Sequence, residues 1–279
     1  MQISVTIIAI ISAFFAAIAW ILARTLLKDI KSQDILGINF ITMAVMLLLC
    51  SPLFYRFEAN YLSMWLILLI ALIDMIANYF YFKTFEKTQA SIAVPMLSLA
   101  PIFTFIFASL FLNDVVSLQS LFLSIAIFIL VIVFSADFSS FKEFKIYTLR
   151  PALTSSLLFG ISAIPAKYLL DTLWAINAPT LYMFRAGLIG LFSLFVFGFT
   201  VPSLSVKQYR IIGLRGLFVI VQWVLLYYAI GKGSAGVSVT LWNITPIFVF
   251  ILSIIFLKEK PTRKKLIVSV LILILSFLL

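Results

Sequence analysis

A 26-residue apolar segment occurs twice in this chain, with the second copy 145 residues after the first. Residues 87–112 read KTQASIAVPMLSLAPIFTFIFASLFL, residues 232–257 read KGSAGVSVTLWNITPIFVFILSIIFL, and ten positions are identical without a gap. The matches include a lysine and a proline, and an acid follows each copy: Lys87/Lys232, Pro101/Pro246 and Asp114/Glu259. Because apolar composition alone does not align a lysine, a proline and an acid together, we interpret the chain as an internal duplication.

Most of the chain is apolar enough to lie in a lipid bilayer. Hydrophobic residues make up 64% of it, charged residues 11%, and the mean hydropathy is +1.22, whereas a globular protein is about 25% charged. Apolar runs of roughly 20 residues recur throughout, long enough to cross the hydrocarbon core as helices. They lack the period-two alternation of a transmembrane β-barrel. We therefore predict an all-α membrane protein, and we interpret residues 3–23 as a retained first span instead of a signal peptide.

Composition also excludes several classes of site. The single Cys50 cannot form a disulfide framework or a cysteine metal site, and the chain has no histidine. We expect no metal, no cofactor and no catalytic residues, because too few groups remain for paired acid–base work. The net charge of +10 does not indicate nucleic-acid binding, since the basic residues punctuate apolar runs instead of forming a basic domain.

The apolar runs divide into two sets of five. We predict ten helices at about 3–24, 33–54, 61–85, 89–112, 117–135, 148–170, 178–201, 208–231, 235–257 and 263–279. Residues 1–137 form the first repeat and residues 146–279 the second. Because five is odd, two such units in series must lie inverted relative to each other, which places a substrate site near the midplane between them.

This pattern resembles the EamA family of the drug/metabolite transporter superfamily. The resemblance rests on the five-plus-five arrangement, on Phe159-Gly160 and Lys167 in the sixth predicted helix, and on the FLND and FLKE sequences that end the two copies. The first repeat departs from the family, with Phe14-Phe15 in place of the aromatic-Gly pair. The resemblance implies a secondary carrier for small metabolites, most commonly amino acids.

The basic residues give an orientation. Fifteen Lys and Arg residues lie in the connections after the first, third, fifth, seventh and ninth helices, and three lie on the other side. The positive-inside rule then places both termini outside the cytoplasm, whereas the resemblance implies cytoplasmic termini. We follow the charges and expect a multi-pass protein of the cell membrane, in a bacterium the inner membrane.

Ionisable residues within the spans are candidates for function. Asp74 is the carboxylate nearest the middle of a predicted span, and Asn78 lies one turn further along the same helix. Asp74 is interpreted either as a proton-titrating or cation-contacting group, or as a structural partner of Arg185 or Arg215, or as a carboxyl kept protonated by burial. Each arginine is suited to binding a substrate carboxylate or phosphate, and snorkelling to the interface is the alternative.

Polar, aromatic and proline residues complete the candidate set. The predicted substrate-binding residues are Asp74, Asn78, Arg185, Gln222, Trp223, Tyr227, Trp242 and Asn243. The alternative for the mid-span amides, which include Asn39, is interhelical hydrogen bonding. Pro101 and Pro246 are hinge candidates because they align between the copies; inherited curvature is the alternative, and Pro95 and Pro165 have no such match.

We therefore predict a secondary active transporter that moves an amino acid, a related zwitterion or an organic ion by alternating access. Its expected partners are the lipid bilayer, a small-molecule substrate and a proton or cation, in a monomer or weak homodimer. The alternatives are a flippase for lipid-linked sugars or headgroups, a membrane-embedded enzyme, and a non-transporting assembly protein.

Overall fold

The computed structural model describes residues 2–27, 30–87, 97–112, 117–135, 150–198, 204–257 and 263–279. These ranges are helical, with one isolated β-bridge between Phe57 and Ile176. The α-helices are α1 (Gln2–Leu26), α2 (Ser32–Cys50), α3 (Tyr61–Lys87), α4 (Ala100–Phe111), α5 (Leu118–Ser135), α6 (Arg150–Lys167), α7 (Ala178–Phe197), α8 (Val206–Lys232), α9 (Ala235–Trp242), α10 (Thr245–Leu257) and α11 (Arg263–Leu278). A short 3-10 turn (Ser51–Leu53) follows α2 and a π-helical turn (Tyr168–Thr172) follows α6.

Seven of the described segments are long and apolar enough to cross a membrane, so the chain is a multi-pass membrane protein. They are Val5–Ala23, Gln33–Leu53, Tyr61–Thr84, Arg150–Thr172, Ala178–Phe197, Val206–Lys232 and Ala235–Leu252, and they coincide with seven of the ten predicted spans. Two shorter apolar helices, Ala100–Phe111 and Leu118–Phe134, coincide with the fourth and fifth. A total of ten spans stays a prediction. Pro95, Asp114 and Glu259 lie outside the described residues.

Local capping sets several helix ends. Ser205 and Gln208 form a capping box in which the Ser205 hydroxyl accepts from the Gln208 amide N–H, so α8 begins at Val206, two residues before the predicted start. α7 ends at Phe197, short of the predicted residue 201, because Gly198 has a φ of +82° that ends a helix and that glycine tolerates.

Turns occur at matching positions of the two copies. The predicted ninth helix consists of α9 and α10, separated by Asn243 and Ile244, and a turn at Ser98 and Leu99 precedes α4. In each case the aligned proline lies in the first turn after the break, where its missing N–H leaves no gap in the helix that follows.

Other groups satisfy the carbonyls that the break leaves free. The Thr245 hydroxyl donates to the Trp242 carbonyl at 2.6 Å, and the Asn243 amide donates to the Ser98 carbonyl at 2.9 Å. Ser98 and Asn243 are themselves 145 residues apart, so equivalent positions of the two copies touch each other.

The helices of the two halves interlock. α1 lies against α8, α9 and α10, α6 lies against α3 and α4, α2 lies against α7, and α5 lies against α11. Each span has an equivalent five spans along the chain, in the other repeat. When every span is replaced by its equivalent, the same set of contacting pairs results. The main buried core therefore lies between the halves, where both contribute side chains.

α2 and α7 are equivalent in the two repeats and pack closely in opposite directions. A Cβ added at Gly37 would lie 3.1 Å from Leu194, and one added at Gly190 would lie 2.7 Å from Ile41. Gly37 precedes Ile41 in α2, whereas Leu194, the neighbour of Gly37, follows Gly190, the neighbour of Ile41, in α7. The two helices are therefore antiparallel. The glycines permit this approach because they place no side chain in the contact.

Candidate functional site

A buried ion pair joins the two halves. Arg185 on α7 donates from Nε to the Asp74 carboxylate on α3, and neither side chain is exposed. This geometry corresponds to the paired interpretation of Asp74, and the guanidinium lies inside the protein instead of reaching an interface. Asp74 Oδ1 and both Arg185 Nη atoms have no hydrogen-bond partner among the described residues.

Three aromatic rings surround the Arg185 guanidinium. Its Cζ lies 3.9 Å from the ring centroid of Trp223, 5.4 Å from Tyr182 and 6.0 Å from Tyr227. Trp223 and Tyr182 stack with centroids 6.1 Å apart and planes inclined by 10°. The rings stabilise the cation through their negative faces while excluding water from it.

A cavity lies beside this aromatic group. Its lining residues come from α4, α6, α8 and α9 and are Ala100, Phe159, Ser162, Ala163, Trp223, Leu226, Tyr227, Ile230, Val239 and Trp242. The free space suits water-sized occupants only, so a metabolite requires the walls to move apart. The Trp242 indole N–H lacks a partner among the described residues, and the Ser162 hydroxyl donates to the Phe159 carbonyl at 3.2 Å.

A second buried guanidinium also bridges the halves. Arg215 on α8 donates from Nη1 to Asn39 Oδ1 on α2 at 2.5 Å, and its Cζ lies 5.7 Å from the Phe82 ring centroid. Arg215 is 6% exposed, and its Nε has no partner among the described residues. Asn39 therefore acts as an interhelical hydrogen-bond partner, the alternative stated for the mid-span amides.

The other predicted residues occupy different surroundings. The Asn78 amide donates to the Asp74 backbone carbonyl at 2.7 Å, within α3. Gln222 is buried, and its backbone carbonyl accepts from the Ser12 hydroxyl at 2.7 Å. Asn243 is bonded to Ser98. These three side chains, like those of Asp74 and Arg185, are not among the residues that line the cavity, whereas Trp223, Tyr227 and Trp242 are. Their contact with substrate stays a prediction, as does the hinge role of Pro101 and Pro246.

Sequence reasoning missed several wall residues that carried a signal. On α8, Trp223, Leu226, Tyr227 and Ile230 follow the spacing of one helical face, but only the polar and aromatic members were singled out. Tyr182, which contacts the Arg185 guanidinium and does not line the cavity, lies three residues before Arg185 on α7 and therefore on the same face. Phe159, Ser162 and Ala163 likewise share one face of α6.

The comparisons with known proteins agree with this fold. The model of the EamA-like transporter family matches residues 3–136 and 151–279. A solved crystal structure has a TM-score of 0.75, covering 98% of this chain and 93% of that chain at 11% sequence identity. At that identity the likeness concerns the fold alone. No curated protein is significantly similar to this chain.

Proposed function

This chain belongs to the EamA-like transporter family, and from that premise we propose that it is a secondary active carrier for a small organic metabolite. In this proposal two inverted halves alternate in exposing a central site to either side of the membrane. The observation that carries it is the Asp74–Arg185 pair, which joins one helix of each half beside an aromatic cavity. Ionisable groups at such depth are costly and mark substrate or ion pathways.

Two features support the alternating mechanism. The antiparallel packing of the equivalent helices α2 and α7 is the arrangement that inverted repeats produce. The polar contacts of the core also cross from one half to the other, as in Arg185 to Asp74 and Arg215 to Asn39. A rocking movement of the halves therefore changes these contacts directly, which couples the site to the movement.

At one end of the molecule a set of hydrogen bonds, here called the latch, joins the two halves. This latch, formed by residues 54–58 and 175–180, contains three hydrogen bonds of 2.6–3.1 Å: Glu58 N to Ala175 O, Asn177 Nδ2 to Phe54 O, and Arg56 N to Thr180 Oγ1. Phe57 and Ile176 form the β-bridge at its centre. In the proposed cycle the latch opens whenever the site faces that side.

A disulfide lock tests this cycle. In a Cys50→Ser background, Phe57→Cys and Ile176→Cys together place two thiols on the bridged pair, at a spacing that suits a disulfide. The purified protein is reconstituted into liposomes and given a metabolite extract, and mass spectrometry identifies what the vesicles take up. Oxidation should abolish uptake, and reduction should restore it.

The two single-cysteine variants are the matched controls and should be insensitive to the oxidant. Full uptake by the oxidised, cross-linked double variant would refute opening at the latch. Absence of uptake of every extract component by the Cys50→Ser protein would refute the carrier proposal itself.

A further inference from the structure

The buried core between the halves carries more positive than negative charge. Away from the helix ends, the buried charged side chains of the described residues are Asp74, Arg185 and Arg215. Lys167 is also buried, but it lies at the end of α6 and pairs with Asp171 at 2.9 Å. The core therefore holds one carboxylate and two guanidinium groups, which leaves one positive charge in excess.

The excess positive charge resides on Arg215, which is linked to Arg185 by neighbouring side chains. The only hydrogen-bond acceptor that Arg215 has among the described residues is the neutral amide of Asn39. The Asn39 amide also approaches Met43 Sδ at 3.9 Å, and the Tyr182 hydroxyl donates to the same sulfur at 3.3 Å. The Tyr182 ring in turn lies 5.4 Å from the Arg185 Cζ, so a chain of contacts through Asn39, Met43 and Tyr182 links the two guanidinium groups.

Arg185 presents an unused edge suited to a carboxylate. Its Nε is occupied by Asp74, while Nη1 and Nη2 are buried and lack partners among the described residues. These two nitrogens form the end-on fork with which a guanidinium binds a carboxylate through two parallel hydrogen bonds. The adjoining ring of Trp223 also lines the cavity.

We propose that this site takes an organic monoanion. The carboxylate of the ligand binds the Nη1–Nη2 fork of Arg185, its apolar body lies against Phe159, Trp223 and Trp242, and its net charge compensates Arg215. A zwitterion brings no net charge and leaves the buried excess in place, whereas a dianion exceeds it. The inference rests on the proposed carrier function and specifies the chemical class of its substrate.

Probes that share one ring and chain but differ in charge test the proposal. We choose 3-phenylpropionate as the monoanion, phenylalanine as the zwitterion and 3-phenylpropanamide as the neutral analogue. Binding to the purified protein in detergent is measured at neutral pH from the rise of Tm with ligand concentration. The apparent Kd for the monoanion should be lower than that of either other probe by about tenfold or more, as expected for charge-assisted hydrogen bonds.

Two variants assign the effect to the arginines. Arg215→Gln should raise the Tm of the ligand-free protein, because it removes an unpaired buried charge, and should reduce the preference for the monoanion by about tenfold. Arg210→Gln removes the same charge from an exposed position of the same helix and should change neither quantity. Arg185→Lys keeps the charge but removes the fork, and it should weaken monoanion binding while leaving amide binding unchanged.

The possible results distinguish failure of the monoanion inference from failure of the carrier proposal on which it rests. Tighter binding of phenylalanine than of 3-phenylpropionate, or an unchanged monoanion preference in Arg215→Gln, overturns the monoanion inference. Uptake of neutral or zwitterionic metabolites alone by the liposomes described above overturns it as well, and leaves the carrier function intact. Failure of all uptake refutes the carrier function instead.

Discussion

Asp74 and Arg185 neutralise each other at a fully buried position. Asp74→Asn should therefore destabilise the protein by about 3–5 kcal/mol, because it leaves a buried guanidinium without its counter-charge. The measurement is the shift in thermal unfolding of the detergent-purified protein. Replacing both residues together, as Asp74→Asn with Arg185→Gln, should recover much of the loss because no unpaired charge remains.

Asp171→Asn is the matched control for Asp74→Asn. Asp171 also contacts a cation, Lys167, but 44% of its side chain is exposed, so we expect a loss of only about 0–1 kcal/mol. Equal losses for Asp74→Asn and Asp171→Asn would show that burial of the Asp74–Arg185 pair contributes nothing to stability.

At the scale of the element, Gly160 allows α6 and α4 to touch. A Cβ at this position would lie 2.5 Å from Phe103 Cβ and 3.1 Å from Thr104 N, and neither atom is the end of a flexible chain. Gly160→Ala should therefore separate the helices and destabilise the protein by about 1–3 kcal/mol, despite alanine's higher helix propensity.

Gly187→Ala provides the comparison on α7, where the added Cβ would make an ordinary contact of 3.7 Å with Ala44. This change should be neutral or stabilising by up to about 1 kcal/mol in the same unfolding assay. If Gly160→Ala changes the stability no more than Gly187→Ala does, the inference that α6 and α4 pack closely at Gly160 is wrong.

The break before α10 depends on one side chain from the other repeat. Asn243→Ala should cost about 1–3 kcal/mol, because it leaves the buried Ser98 carbonyl without its donor. Asn78→Ala removes an amide that, among the described residues, bonds within its own helix, and it should cost less. Thermal unfolding of the two variants side by side measures the difference, and a larger loss for Asn78→Ala would contradict the proposed role of Asn243.

For the whole molecule, the single native cysteine reports orientation. Cys50 is exposed at the end of α2, on the side that carries few basic residues, so a membrane-impermeant maleimide should label it in intact cells. Arg263→Cys in a Cys50→Ser background lies at the start of α11 on the basic side and should be labelled only after permeabilisation. The reverse pattern would favour cytoplasmic termini and overturn the charge-based orientation.

Hydropathy and spacing predicted the seven membrane-capable helices and the two repeats, because both are properties of contiguous sequence. They also singled out Asp74 and Arg185, since charge is conspicuous in an apolar run. Their pairing with each other was one of several alternatives, because 111 residues separate them and only packing selects the partner. The break at Asn243 was missed for the same reason, because it depends on the Ser98 carbonyl, which a distant part of the chain supplies.

The Asp74–Arg185 pair has no counterpart at the equivalent positions of the opposite repeats. The positions that correspond to Arg185 and Asp74 in the other repeat hold Phe40 and Val219, both buried and apolar. An ancestor made of two identical chains would have carried this pair twice or not at all. Fusion into one chain thus allowed the two halves to diverge. In the proposed carrier, a ligand that enters from one side of the membrane approaches Arg185 from a different direction than a ligand that enters from the other side. We therefore expect unequal half-saturation concentrations for transport in the two directions.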